Sequence, residues 1–367
     1  MKLSGRLPDF PWDSLAGVTA LARAHAEGIV DLSVGSPVDP TPQIARTALA
    51  GAADTPGYPA VWGTAGLRAS IIDYLQRRWG AVGLVDAGVM PTIGSKELIG
   101  WLPTLLGLGT DDLVVIPELA YPTYEVGAAM VGARVQRCDD PTRVDGRPAL
   151  IWLNSPANPH GAVMSADQLR EWVAFARQTG AVLASDECYL EFGWTGPAPT
   201  SVLDAAVCGD THARLLAVHS ASKWANFAGY RAGFVAGDPD VVAELVAVRK
   251  NLGMMMSAPV QAAFGAVLAA AEDVVPAQRE RYRARREVLA PALRQAGLRI
   301  DASDGGLYLW VTRDEDGRDS VAWLASLGIL GAPGDFYGPA GADHVRLALT
   351  ATDERIGKAA ARLRAAA

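Results

Sequence analysis

The chain has 367 residues, enough for about two structural units, and is half hydrophobic and one fifth charged, the composition of an ordinary globular protein. Its 33 Lys and Arg stand against 40 Asp and Glu, a net charge of −7, with no basic stripe of the kind that binds nucleic acid. Three scattered cysteines (Cys138, Cys188 and Cys208) exclude a disulfide framework, suggest no metal site and fit a reducing compartment.

The start of the chain, Met1-Lys2 followed by Pro8, Asp9, Pro11 and Asp13, lacks the apolar segment of a signal peptide. The most apolar stretch, residues 258–271, is interrupted by Pro259 and Gln261 and falls short of the roughly 20 residues that span a bilayer. A cytoplasmic protein with no membrane partner is expected. Residues 1–40 read as an arm that ends in the Pro- and Gly-rich turn Gly35-Ser36-Pro37-Val38-Asp39-Pro40. Apolar runs at 112–116, 134–136, 150–153, 182–184, 215–218 and 234–236 then alternate with helix-period segments at 96–106, 124–131, 166–179 and 241–251. That alternation predicts an α/β fold with a largely parallel sheet covered on both faces.

Polar segments follow several of these runs. Pro91-Thr92-Ile93-Gly94-Ser95-Lys96 ends a strand-like stretch and opens a helix, where free backbone N–H groups bind phosphate and Gly94 permits close approach. After the run at 112–116, Tyr121 offers an aromatic face for a flat ring. After 150–153, the loop Asn154-Ser155-Pro156-Ala157-Asn158-Pro159-His160-Gly161 sits where ligands bind in open α/β sheets, and the Asn158 amide can donate to a ring oxygen. After 182–184 comes Ser185-Asp186-Glu187-Cys188-Tyr189. The Asp186 carboxylate suits a protonated ring nitrogen and Tyr189 a hydrogen bond to the same ring oxygen, while Cys188 reads as a buried apolar residue.

After 215–218 comes His219-Ser220-Ala221-Ser222-Lys223-Trp224, with Arg231 eight residues beyond the lysine. A lysine between two small hydroxyls, with an arginine close behind, suits an amine that condenses with an aldehyde cofactor. Ser220, Ser222 and Arg231 would bind the cofactor's phosphate. Beyond residue 275 the character changes to a long Arg- and Ala-rich helix, the strand Gly305-Gly306-Leu307-Tyr308-Leu309-Trp310-Val311, and a last strand through Arg346. This predicts a large domain over 41–275 and a smaller α+β domain over 276–367 completed by the arm 1–40. The stretch Arg281-Tyr282-Arg283-Ala284-Arg285-Arg286 is expected to be a solvated helix face.

These motifs, in this order, resemble the class I/II aminotransferases, the pyridoxal-phosphate family with the aspartate-aminotransferase fold (fold type I), and the likeness runs over essentially the whole chain. The resemblance implies a mostly parallel seven-stranded sheet plus a smaller domain, with pyridoxal 5'-phosphate bound at Lys223. Lys223 would carry the imine link and shuttle the proton, Asp186 would hold the ring nitrogen, and Asn158 and Tyr189 would bind the phenolic oxygen. Gly94, Ser95, Lys96, Ser220, Ser222 and Arg231 would surround the phosphate, and Tyr121 would stack on the ring. It further implies that Tyr58 reaches the phosphate of a neighbouring subunit, so that a homodimer shares its active sites. Arg346 would clamp the substrate α-carboxylate, with Gly35 in the loop that closes over it. Ser155 and His160 depart from the usual Pro and Thr.

The starting segment Leu7-Pro8-Asp9-Phe10-Pro11-Trp12-Asp13 and the loop through Gly35 resemble the actinobacterial succinyldiaminopimelate aminotransferases, implying exchange between N-succinyl-LL-2,6-diaminopimelate and 2-oxoglutarate in lysine biosynthesis. Alternatives are an aminotransferase for aspartate or an aromatic amino acid, a carbon–sulfur β-lyase, and a cofactor-sensing regulator. The region of Trp62, Glu97 and Met254-Met255-Met256 is the expected distal pocket.

Overall fold

The computed structural model describes Gly5 and residues 7–367, so the Met1-Lys2 start lies outside the described residues. In chain order the chain forms α1 (Ala16–Arg23), β1 (Val30–Asp31), α2 (Gln43–Gly51), α3 (Ala65–Trp79), β2 (Val89–Thr92), α4 (Ser95–Leu105), β3 (Leu113–Ile116), α5 (Thr123–Val131) and β4 (Arg134–Arg137). Then come β5 (Leu150–Asn154), α6 (Ala166–Thr179), β6 (Val182–Asp186), α7 (Ala205–Cys208), β7 (Leu215–Ser220), β8 (Gly233–Gly237), α8 (Pro239–Leu252), α9 (Ala258–Ala269) and α10 (Ala271–Gln295). The chain closes with β9 (Arg299–Asp301), β10 (Tyr308–Thr312), α11 (Gly317–Ser326), β11 (Ile329–Leu330), β12 (Ala332–Pro333), β13 (Val345–Ala348) and α12 (Asp353–Ala365).

Seven strands make one sheet in the order β2-β8-β7-β6-β5-β3-β4, with β3 to β7 parallel and β8 antiparallel to both of its neighbours. The apolar runs are continuous because both faces are covered. Successive side chains point to opposite faces. Thus Leu113, Val115, Ile151 and Leu183 pack in one core cluster, and Val114, Ile116, Leu150 and Ala184 in another beneath α4, α5 and α8. Helix α6 opens on a Ser165–Gln168 capping box and ends at a left-handed Gly180.

Strand order reverses between β3 and β5, which places a crevice beyond their carboxyl ends. Asn154 and Asp186 are register partners, so the ends of β5 and β6 are level, and β7 runs parallel beside β6. A second, antiparallel sheet, β12-β13-β10-β9, faces these ends. The arm, which contains α1, pairs β1 in parallel with β11 as a separate two-stranded sheet, and its Leu32 carbonyl accepts from the Ala348 N–H of β13. No single helix among the described residues is long and apolar enough to cross a membrane.

Candidate active site

One cleft of about 1430 Å³ opens between the two sheets. It is lined by Gly35, Ser95, Lys96, Tyr121, Asn158, Asp186, Tyr189, Ser220, Ser222, Lys223, Arg231 and Arg346, residues that the sequence scatters over more than 300 positions. Gly94 caps α4 just behind it. At φ +82° a Cβ on Gly94 would lie 2.3 Å from the Arg231 guanidinium, so only glycine allows the arginine to reach the start of the helix. Tyr58 stands apart: its side chain is 99% exposed and does not line the cleft of its own chain.

Asp186, at the end of β6, is buried. Its carboxylate accepts a hydrogen bond from the Tyr124 hydroxyl at 2.8 Å and from the Cys188 N–H at 3.2 Å. Burial pushes its carboxyl up, against the lowering effect of those bonds. A buried carboxylate in this position calls for a cation. Burial also pushes the Cys188 thiol well up, which leaves it an inert apolar group. Behind Asp186, His219 Nε2 lies 2.9 Å from buried Glu187.

The Asn154 amide donates to the Asp186 carbonyl at 2.9 Å, and its oxygen accepts from the Asn158 N–H at 2.7 Å, which fixes the loop. The Asn158 oxygen accepts from Arg346 at 2.8 Å, so its amide N–H groups are left to face the cleft. Arg346, 3% exposed, also donates to the Ser33 carbonyl at 2.7 Å. Its guanidinium lies 4.0 Å from the centre of the Tyr308 ring and 5.0 Å from that of Tyr337. Lys223 donates to the Gly35 carbonyl. Ser220 and Ser222 hydroxyls are 2.6 Å apart. Tyr121 lines the cleft edge-on to Tyr124, and burial pushes its hydroxyl up to about 12.

Trp62, Glu97, Met254, Met255 and Met256 do not line the cleft of the single chain. Glu97 forms a two-point ion pair with fully buried Arg249 at 2.7 and 3.0 Å and braces the turn before α4 by accepting from the Ile93 N–H. The far part of the cleft is built from residues 7–14 of the arm together with Arg137, Arg318 and Phe336. There the rings of Phe10, Trp12 and Phe336 follow one another at 5.5 and 5.3 Å. The expectation for the arginine-rich helix is corrected. In that helix Arg283 is exposed, but Arg285 is buried, bonded through both terminal nitrogens to Asp39 at 2.6 and 2.9 Å and to Asp353 at 2.6 Å. His160 does not line the cleft, and burial pushes its imidazole down to about 4.

Tyr124 and Tyr308 are the site residues that sequence reasoning missed. Tyr124 lies three positions after Tyr121, at the start of α5, and its ring is buried against Trp152 while its hydroxyl reaches Asp186. Tyr308 carries no local motif.

The donor set fits a phosphorylated pyridine aldehyde. An amine, a buried carboxylate awaiting a cation, two donors for a ring oxygen, and a helix start with two hydroxyls and a guanidinium meet in one cleft. The sequence model described as "Aminotransferase class I and II" matches residues 27–363. The chain belongs to this family. Its cofactor is pyridoxal 5'-phosphate, its fold is that of aspartate aminotransferase, and its activity is aminotransfer.

The chain is 59% identical over 364 residues to "Probable aminotransferase Rv1178" of Mycobacterium tuberculosis, covering 98% of this chain and 86% of that protein. It is 52% identical to "4-dedimethylamino-4-oxo-anhydrotetracycline transaminase OxyQ" of Streptomyces rimosus, covering 97% and 99%. Among solved structures, the "probable N-succinyldiaminopimelate aminotransferase" of Thermus thermophilus superposes with a TM-score of 0.86 at 29% identity, covering 97% of this chain and all of that one.

Proposed function

We propose that this aminotransferase exchanges the amino group of N-succinyl-LL-2,6-diaminopimelate with 2-oxoglutarate, in lysine and diaminopimelate biosynthesis. The observation that carries this reading is the length of the cleft beyond Arg346. Residues 7–14 of the arm, with Arg137 beside Glu125 and Arg318 beside Asp335, line the cleft in addition to Arg346 and the groups that would meet the cofactor. A long substrate with carboxylates at both ends suits such a cleft. The likeness to the Thermus thermophilus enzyme points the same way.

In this reading Arg346 binds the α-carboxylate through its planar fork. Ser95, Lys96, Ser220, Ser222 and Arg231, with the α4 N–H groups beside Gly94, hold the cofactor phosphate. Tyr121 stacks on the ring, Asp186 pairs with its nitrogen, and Asn158 and Tyr189 donate to its ring oxygen. When bound, the cofactor supplies an aldehyde for the imine link and a ring that takes up negative charge. Lys223 would carry that link, and its Nζ, when free, would take and hold the proton from the substrate Cα. The Tyr124 hydroxyl aims the Asp186 carboxylate and favours its charged form against the burial that raises it. The Gly35 loop, whose carbonyl holds Lys223 Nζ, keeps water from the reacting groups. The fully exposed Tyr58 serves the phosphate site of a second subunit, so the working unit is a homodimer with shared sites.

A second reading, an aromatic or polycyclic amino donor or acceptor, is favoured by the Phe10–Trp12–Phe336 series and by the relative named for an anhydrotetracycline substrate. A single half-reaction separates the two. The purified, cofactor-loaded protein is mixed with N-succinyl-LL-diaminopimelate, glutamate, phenylalanine, aspartate or cystathionine, and the cofactor absorbance is followed. Fast conversion by the succinyl compound and by glutamate is the expected result. An inert succinyl compound together with a reactive aromatic donor would favour the second reading, and pyruvate from cystathionine would mean elimination.

A further inference from the structure

Tyr308 is the hub of the cleft. It lies on β10 in register with Ala348, so its side chain shares a face with Arg346 two residues along the neighbouring strand. Its ring supports the Arg346 guanidinium at 4.0 Å. Its hydroxyl lies 3.0 Å from that of Tyr189, which comes from the other sheet. The space around that hydroxyl is kept open by Gly35, where a Cβ would lie 2.2 Å from it. Gly35 in turn accepts from Lys223. Substrate clamp, amine and ring-oxygen donor therefore all touch Tyr308 or its immediate neighbour.

Each phenol has a single hydrogen to donate. If Tyr189 donates to the cofactor's ring oxygen, as proposed above, its own oxygen is left to accept. The arrangement that satisfies both groups then runs from Tyr308 to Tyr189 to the ring oxygen. Chained hydrogen bonds of this kind strengthen one another in a dry site.

We propose that Tyr308 is a positioning residue that acts on the cofactor through Tyr189 and on the substrate through Arg346, so that one side chain aligns the two. The inference rests on the reading of Tyr189 as a ring-oxygen donor. The charged and titratable groups that face Tyr308 are Arg346, Lys223, Tyr189, Cys188, Tyr121, Tyr282 and Tyr337. Burial acts to raise its hydroxyl, while the Arg346 and Lys223 cations and the hydrogen bond with Tyr189 together bring it below the ordinary phenol value. Tyr189 is pushed up by burial and by Tyr308 itself.

The test reads the pH midpoint of the visible absorbance change of the cofactor-loaded protein, together with the kcat and KM split. A donor to the ring oxygen stabilises its anionic form, so weakening that donor raises the midpoint. Tyr189→Phe should raise it most, and Tyr308→Phe should raise it by about half a unit in the parent but leave it unchanged in a Tyr189→Phe background. Tyr308→Phe keeps the ring beneath Arg346, so KM should hold. Tyr308→Leu removes the ring and should raise KM for both amino donor and oxo acid about tenfold.

If Tyr189→Phe moves the midpoint and Tyr308→Phe does not, the role of Tyr308 falls alone. If Tyr189→Phe leaves the midpoint unmoved, the reading of Tyr189 falls and the role of Tyr308 with it. Unchanged KM values in Tyr308→Leu would overturn the Arg346 half of the proposal.

Discussion

The two walls of the cleft hold their polar groups by different means. On the wall made by the seven-stranded sheet, Asn158, Asp186, Tyr189 and Lys223 sit in loops or strand ends just past a buried strand, held by backbone bonds and short side-chain bonds such as those of Asn154 and Tyr124. On the wall made by the four-stranded sheet and the arm, Arg346 is held by Tyr308, Tyr337 and a carbonyl of the arm, and the arm loop is held by Arg285. The first wall is set by where strands end. The second is set by which side chains pack together. Loss of one group on the first wall should therefore damage the chemistry, and loss of one on the second should damage binding or the support of the arm.

Lys223→Ala should have the largest effect. It removes the amine proposed to hold the cofactor and move the proton, and turnover should fall by about 10³-fold or more. Steady-state assay with cofactor in excess checks this, and retained turnover would break the assignment of the chemistry to the first wall. Arg346→Lys should come next. A lysine cannot supply the two-point bond or lie flat between Tyr308 and Tyr337, so KM for both amino acid and oxo acid should rise about 10- to 100-fold with a smaller change in kcat. An equal fall in kcat would show that the second wall also serves the transition state.

Arg285→Met should act least on turnover and most on stability. It leaves the largely buried Asp39 without its partner, at a cost of about 3 kcal/mol, to be read from urea unfolding. Burial by itself would raise the Asp39 carboxyl, but the bonds from Arg285 and Gln278 more than offset it and hold it below its ordinary 3.8. A lowered folded-state value means that the unfolded chain binds the proton more readily. The stabilisation is thus complete above about pH 3.8 and lost as pH falls through the folded value, and Arg285→Met should flatten this acid limb.

The ease with which each part could be read from the sequence follows the same division. The first wall was legible because parallel strands buried on both faces appear as apolar runs, and the residues just after each run are the ones exposed to a ligand. Asp186, Asn158 and Lys223 each lie within five residues of the end of such a run. Arg346 entered through family likeness, and Tyr308 had no signal, because one tyrosine in an apolar strand looks like any other core aromatic. Arg285 sits among arginines that look solvated, and its burial depends on Asp39, 246 residues earlier. The same is true of Glu97, whose partner Arg249 is 152 residues away.

The alternation of strands with helices, the helix start after Gly94 and the family itself were written in the chain, because each is carried by local runs and motifs. Tertiary structure alone decided which groups stand beside Asp186 and Arg346, that the arm supplies the far end of the cleft, and that Tyr308 joins its two walls. Those contacts link residues tens to hundreds of positions apart, and no local pattern records which side chains folding brings within hydrogen-bonding distance.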